Sequence, residues 1–580
     1  MKTMRRILAM LLALVMVLSI VACNQEKPEE TKNPGTNETK APDKPKETDP
    51  VEEPVLGLLD PYPETVTISC SRTLDQISTY PEGVTNAKNG YVDLILEQLN
   101  IQTEVAFEAK SGEDYDRQVS LAIASGELPD MLYIRGNQNG SGLSFLYELI
   151  ENDLILDLTD LYEQYAGEEM KYRYSTYGDA VLGMATVDGK LYALPYCAGM
   201  FYPKIWVRQD WIETLNLTVD ADGNGIISRE ELVVIAKAFK EADLGNTGKA
   251  VGLAIPDTIE NTAGMDTLTD SFGAYMLRYM KNEDGSVVHG STQPEMKEAL
   301  SWMKELYDEG VLDSQFGVRT SEEIKEMLIN GELGIVTGTW AHMDNSQAVY
   351  EMDKNAKFVV YNLDNGNGKV NFPAPLSTKD QYLVISKECE NPEAIFKILE
   401  LVNFQWGSMT TDQRTEMNAT LVDQLAAGMG GHARPIGMDI MAAQFAYDQQ
   451  VKPALDYAET GHTDYPTFNP ESNTYYKALM AWKEDPLNMD PTLWCRYHTR
   501  FQAVVHSHNL EEQGLYEMSY PIYALTETMK SNPVDLDGMM EEYFIKIITG
   551  ELPLDAFDEY VAQRNSQGGA DICDELAAIG

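Results

Sequence analysis

Apolar positions along residues 62–135 switch between two periods. Val66 and Ile68 alternate with polar neighbours as in a strand, and Val92, Ile95, Leu96 and Leu99 recur at helical spacing. Ile101, Thr103, Val105 and Phe107 alternate again. Tyr115, Val119, Ala122 and Ile123 then give a second helical face that stops at Gly126, and Met131 to Ile134 forms a short buried strand after Pro129. This βαβ order predicts a parallel sheet with helices on both sides. Ligands of such sheets sit outside the carboxyl ends of the strands, which directs attention to Ser71, Arg72, Arg135, Asn137 and Asn139. Further on, Tyr382 to Ile385 reads as a strand. It is followed by Asn391 as a cap, Pro392 in the first helical turn, and Ile395, Ile398, Leu399 and Val402 at helical spacing.

The start of the chain follows another pattern. Lys2, Arg5 and Arg6 precede an almost wholly apolar run from Ile7 to Ala22, which is short for a spanning helix and reads as a secretory signal over 1–22. From Asn24 to about Pro54 the chain is mostly Pro, Glu, Lys, Thr and Asn, too poor in large apolar side chains to offset the entropy of ordering, so a lipid anchor and flexible linker are expected over 23–61.

The sharpest chemical signal is Asp220-Ala221-Asp222-Gly223-Asn224-Gly225-Ile226-Ile227-Ser228-Arg229-Glu230-Glu231, which matches a twelve-residue calcium loop. Asp220, Asp222 and Asn224 place oxygens on alternate residues, and Gly225 permits the sharp turn. Ile226 offers its carbonyl, Ser228 holds a bridging water, and Glu231 closes the shell. Trp206 to Leu215 is the expected entering helix, and Leu232, Val233, Ile235, Ala236 and Phe239 line the exiting one. The competing reading is an S-x-x-E capping box after an Asp/Gly/Asn turn, with no metal. With no second full loop to pair with it, the loop is expected to clamp a shape rather than act as a sensor.

Composition narrows the partners. Removing the three leader cations takes the net charge from −48 to −51, spread along the chain, which disfavours nucleic acid. Cys70, Cys197, Cys389, Cys495 and Cys573 are odd in number, with no C-x-x-C, and support neither a disulfide framework nor a zinc ribbon. No G-x-S-x-G, H-E-x-x-H or complete phosphate loop occurs, so a non-enzymatic chain is expected. His498, His506 and His508 suit a metal on residue type, but packed or surface histidines are the commoner case. Aromatics are the better lead, because the CH faces of sugars lie on flat rings while their hydroxyls take hydrogen bonds. For Tyr133, Tyr196 and Tyr202 binding and packing both stay open; Trp206, Trp211 and Trp302 read as core, and Trp494 is undecided.

Several stretches together resemble the extracellular solute-binding lipoproteins of ABC transporters, within them the calcium-containing alginate-oligosaccharide and maltose binders. They are Ala124-Ser125-Gly126-Glu127-Leu128-Pro129-Asp130-Met131, Asp188-Gly189-Lys190-Leu191-Tyr192-Ala193-Leu194-Pro195-Tyr196, Val207-Arg208-Gln209-Asp210-Trp211, Gly331-Glu332-Leu333-Gly334, Thr337-Gly338-Thr339-Trp340, Asn391-Pro392-Glu393-Ala394 and Ile547-Ile548-Thr549-Gly550-Glu551-Leu552-Pro553-Leu554. Ile20-Val21-Ala22-Cys23 resembles a lipobox, which implies an acyl (palmitate) anchor on Cys23 at the outer face of a bacterial cytoplasmic membrane.

The resemblance implies a two-lobed α/β fold like that of periplasmic binding proteins, with the ligand cleft between the lobes. The expected lobes are 62–195 with 381–450, and 196–380 with 451–580. It implies Trp340 as a sugar-stacking residue, Ca²⁺ as cofactor, an oligosaccharide ligand, ABC permease subunits as partners, and a monomer that touches the membrane only through its lipid. The family's calcium loop often lies where this chain has Asp243-Leu244-Gly245-Asn246-Thr247-Gly248, so the ligands named above rest on the local pattern. A peptide or other solute, a sensor accessory, and a calcium-stabilised extracellular hydrolase remain as alternatives.

Overall fold

The computed structural model describes residues 56–580 except 75–79, 111, 136–141, 198–203, 258, 260–263, 339–342, 344–345, 374–380, 410, 428, 430–432, 436–450, 460–469, 520, 523 and 580. The leader, Cys23 and most of the linker therefore lie outside the described residues, as do Asn137, Asn139, Tyr202 and Trp340.

In chain order, the strands of the two main sheets are β1 (Val66–Thr73), β2 (Ile101–Ala109), β3 (Met131–Arg135), β4 (Leu194–Pro195), β5 (Lys204–Arg208), β6 (Ile226–Ile227), β7 (Ile335–Gly338), β8 (Phe358–Leu363) and β9 (Gln381–Ile385). The helices used below are α1 (Gly90–Leu99), α2 (Glu113–Ser125), α3 (Gly142–Glu151), α4 (Gln209–Leu215), α5 (Arg229–Ala242), α6 (Glu393–Leu399), α7 (Gln502–Glu512) and α8 (Glu527–Ser531).

Local chemistry sets several boundaries. The Asn89 side chain caps α1 by accepting from the N–H groups of Tyr91 and Val92, and the helix ends at Asn100 in the left-handed region. α2 stops at Gly126, whose φ of 72° suits a residue without Cβ.

Sheet one has the order β2-β1-β3-β9-β4. β1 runs parallel to β2 and β3, but β9 is antiparallel to both β3 and β4. The three strands of the βαβ stretch are thus parallel as expected, and β9 makes the complete sheet a mixed one. The βαβ rhythm covers only residues up to 135, and β9 returns after a long excursion whose direction no local pattern encodes.

Sheet two has the order β7-β5-β8-β6, with β5 antiparallel to both neighbours. This corrects the reading of Trp206 as the start of a helix: Trp206 is in β5 and only Gln209–Leu215 is helical. Every residue of β5 is buried, and periodicity cannot separate so short a buried run from a helix.

Buried hydrophobic residues fall into separate bodies. One cluster draws on residues between Tyr62 and Cys197 and between Tyr382 and Ala433. The others draw only on residues from Ile205 to Phe372 and from Val451 to Leu576. Packing begins at Leu56 and Leu58, which lie on the first body. There the buried Lys397 of α6 donates to the carbonyls of Gly57, Leu58 and Asp60.

Candidate functional site

At the carboxyl edge of sheet one the structure gathers a polar cluster from three separate segments. Ser71 is fully buried, and its Oγ accepts the N–H of Tyr133 at 3.0 Å and lies 2.7 Å from the Tyr115 hydroxyl. That hydroxyl also lies 2.6 Å from the Tyr133 carbonyl oxygen. β1 and β3 are thereby tied through side chains beyond their one register pair, Cys70 with Met131. Arg72 is also buried; its Nη2 donates to Asn86 Oδ1 at 3.1 Å, and Asn86 Nδ2 donates to Glu108 Oε2 at 2.9 Å.

Burial pushes the Tyr115 hydroxyl pKa up and the Arg72 pKa down. The positive charges of Arg72 and Arg135 both act on Tyr115 in the opposite sense, so the two guanidiniums share one neighbourhood. Tyr133 is buried with its ring 6.4 Å from that of Tyr115. Arg135 pairs in register with Gln381, and the Tyr196 N–H donates to the Gln381 carbonyl at 2.8 Å.

Ser71, Arg72, Tyr133, Arg135 and Tyr196 are therefore brought to one edge of sheet one. Sequence reasoning missed Asn86, Glu108 and Gln381. Tyr115 was read only as a helix-face residue, and nothing in a 3.6-residue period announces that its hydroxyl reaches across two strands.

The loop at 220–231 is built almost entirely from its own residues. Asp220, at φ 49°, accepts the Gly225 N–H at 3.1 and 3.2 Å, and Gly225 has φ 81°. Asn224 Oδ1 accepts from the Ile226 N–H at 2.8 Å, while its Nδ2 donates to Asp222 Oδ2 at 2.9 Å. Glu231 joins both ends: Oε1 accepts the Asp220 N–H at 3.1 Å, and Oε2 accepts the Ser228 N–H and hydroxyl at 2.8 and 2.9 Å. With the Glu231 N–H donating to Ser228 Oγ at 3.1 Å, this is a full capping box opening α5.

β6 lies inside the loop and pairs in parallel with Asn362 and Leu363 of β8. A strand of sheet two thus takes the place that a second calcium loop has in paired systems. On its other side the loop rests on α7. A Cβ on Gly225 would meet the buried His506 ring at 2.6 Å, and His506 Nε2 lies 2.8 Å from Asn362 Oδ1.

Three carboxylates, an amide oxygen and a carbonyl suit a hard cation. Burial raises the Asp220 pKa, against the lowering effect of the backbone N–H groups of Gly225 and Asn224, and the Asp222 charge adds a smaller push in the same direction as burial. Yet the side chains stand in the capping arrangement, and no group of three or more His, Cys, Asp or Glu is poised for a metal among the described residues.

Most of the remaining described candidates are core. His498 is buried between Trp482 and Trp494, with ring centroids 4.8 and 5.0 Å away, and burial lowers its pKa to about 3. Burial does the same to His506, while His508 lies 3.8 Å from Glu511. Trp494, undecided from sequence, is fully buried; it stacks on Tyr350 at 5.2 Å and donates from Nε1 to the Ala356 carbonyl at 3.1 Å. Trp206 and Trp211 are buried, and Trp302 is half-buried against Phe272. Among the described residues no helix is long and apolar enough to cross a membrane.

A family model described as bacterial extracellular solute-binding protein matches residues 78–405. Lipoprotein LipO of Bacillus subtilis is 25% identical over 267 residues, 45% of this chain and 49% of its own. The polygalacturonan/rhamnogalacturonan-binding protein YtcQ of the same organism is 24% identical over 245 residues, 42% of this chain and 46% of its own. The chain thus spans about half the length of the curated relatives it matches. Among solved structures, the alginate-binding protein AlgQ2 without calcium ion aligns over 90% of this chain and 99% of its own, with a TM-score of 0.55 at 16% identity. That likeness concerns the fold.

Proposed function

Since the chain belongs to the bacterial extracellular solute-binding proteins, we propose that it is the binding subunit of an ABC importer, capturing an extracellular oligosaccharide and handing it to membrane permease subunits. The observation that carries this reading is the polar cluster at the carboxyl edge of sheet one, next to the ends of β4 and β9 where the chain leaves for the second body. The ligand would be held between a first lobe of 62–195 with 381–450 and a second of 196–380 with 451–580. Arg72, Arg135, Asn137 and Ser71 supply polar groups, and Tyr133, Tyr196, Tyr202 and Trp340 supply ring faces.

A carbohydrate is favoured over a peptide because polygalacturonan and alginate stand in the names of YtcQ and AlgQ2. The same reading makes the protein a non-enzymatic monomer, anchored by lipid on Cys23 as the name of LipO suggests. Asp220, Asp222, Asn224, Ile226 and Glu231, with Ser228 through a water, would hold Ca²⁺ as a structural clamp. When bound, the ion supplies only fixed positive charge; the chain's own residues bind the sugar.

The test is a thermal-shift screen against oligosaccharides followed by titration calorimetry. A ligand at 100 times its dissociation constant adds about 2.7 kcal/mol to stability. A stoichiometric complex with the sugar uncut is expected; turnover would make the protein a hydrolase instead.

A further inference from the structure

The two hydrophobic bodies meet at a polar contact that belongs to neither core. Lys530 of α8 places its Nζ 2.7 Å from Glu151 Oε1 of α3, 3.1 Å from Glu527 Oε1 of its own helix, and 5.4 Å from the centre of the Tyr147 ring. The Tyr147 hydroxyl is hydrogen-bonded to the Leu525 backbone. Each partner is fixed to its own side. Phe145, Leu146 and Leu149 of α3 lie in the first core, whereas Met529 of α8 packs with Val287, Leu536 and Ile572 of the second body.

The position of this contact gives it a direction. α3 starts just beyond the carboxyl end of β3 and runs back along the sheet, so Glu151 lies ~13 Å from its first residue at 1.5 Å per residue. The segment after it returns to the opposite edge, where Ile155 bridges to Ser386, past the end of β9 that pairs with Met131. The crossing ends at Tyr196 and Gln381 stand at the other edge, with Arg135. The Lys530–Glu151 contact, on the helix that leads to Ile155, therefore lies toward the end of sheet one away from the crossings.

We propose that the Lys530–Glu151–Tyr147 contact is a latch that holds the lobes apart and sets ligand affinity without touching ligand. The proposal rests on the reading of the cleft given above. Contacts of this kind bias a two-state equilibrium by their difference between the states, and affinity follows the fraction of competent molecules.

The experiment uses the full chain with spin labels at L121C and V234C, both exposed positions on opposite bodies, in a Cys23→Ser, Cys573→Ser background. Lys530→Met and Glu151→Gln should each shorten the mean label distance without ligand, and Lys530→Arg should restore it. Affinity for the best oligosaccharide from the screen should rise about threefold in the same two variants. An unchanged or longer distance in both variants overturns the latch, whatever the affinity does. A shortened distance in a protein that binds no oligosaccharide keeps the latch and removes the carbohydrate reading.

Discussion

The loop at 220–231 and the carboxyl edge of sheet one are both polar and partly buried, yet they are assembled in opposite ways. In the loop, acceptors and donors are consecutive residues, and Glu231 closes back on Asp220 and Ser228 within twelve positions. At the sheet edge, Ser71, Tyr115 and Tyr133 meet only because β1, α2 and β3 have packed. A contiguous site keeps its geometry when the surrounding fold loosens. An assembled one reports the integrity of the whole lobe.

Four measurements bear on that contrast, the largest expected effect first. His498 is an assembled, buried group whose pKa falls from 6.5 to about 3 through burial. Between those values the unfolded chain binds a proton that the folded chain refuses, so stability falls as pH drops from 6.5 toward 3 and is unaffected above 6.5. The slope is about 1.4 kcal/mol per pH unit for one proton, and urea titrations of His498→Gln beside the parent should lose it. Equal slopes would show that burial does not govern this group.

Next, Trp494→Ala should cost about 3–5 kcal/mol of stability, the usual range for a core tryptophan. Trp340→Ala should change stability little and weaken sugar binding about tenfold, worth 1.4 kcal/mol. Unfolding by Trp340→Ala with residual ligand affinity intact would move that residue to the core. The third is Ser71→Ala, which leaves the Tyr133 N–H without its acceptor in a buried site and should cost about 1–3 kcal/mol, read by chemical denaturation. A neutral result would mean that the sheet edge does not depend on its cross-strand tie.

The smallest effect belongs to the loop. In chelator, Glu231→Gln should cost only about 1 kcal/mol, the order of a lost helix cap. With millimolar Ca²⁺ the gap in melting temperature should widen, because only the parent gains from the ion. Calorimetry without a calcium signal from the parent would leave the loop as a cap alone.

The same contrast explains what could be read in advance. The calcium-type pattern, the Gly126 stop and the strands at 66–73 and 131–135 depend on neighbours along the chain, and they are legible. The antiparallel entry of β9 and the strand at Trp206 are decided by partners far away in sequence. The edge residues Ser71, Arg72 and Arg135 follow from strand ends and topology. Their partners Asn86, Glu108 and Gln381 do not, since no spacing rule connects them. Trp494 was ambiguous because a lone tryptophan suits a core or a binding face equally well.

The place of β9 in sheet one has a consequence for biosynthesis. β3 and β4 are not neighbours; β9 lies between them, and it cannot be made until residues 196–380 have been translated. At ~5–20 residues per second, the nascent first lobe would wait roughly 10 to 40 seconds with two unpaired strand edges. Exposed edges of that kind template aggregation. A chain that folded only after its synthesis was complete would never pass through that interval, and fragments ending before Gln381 should be insoluble when expressed alone.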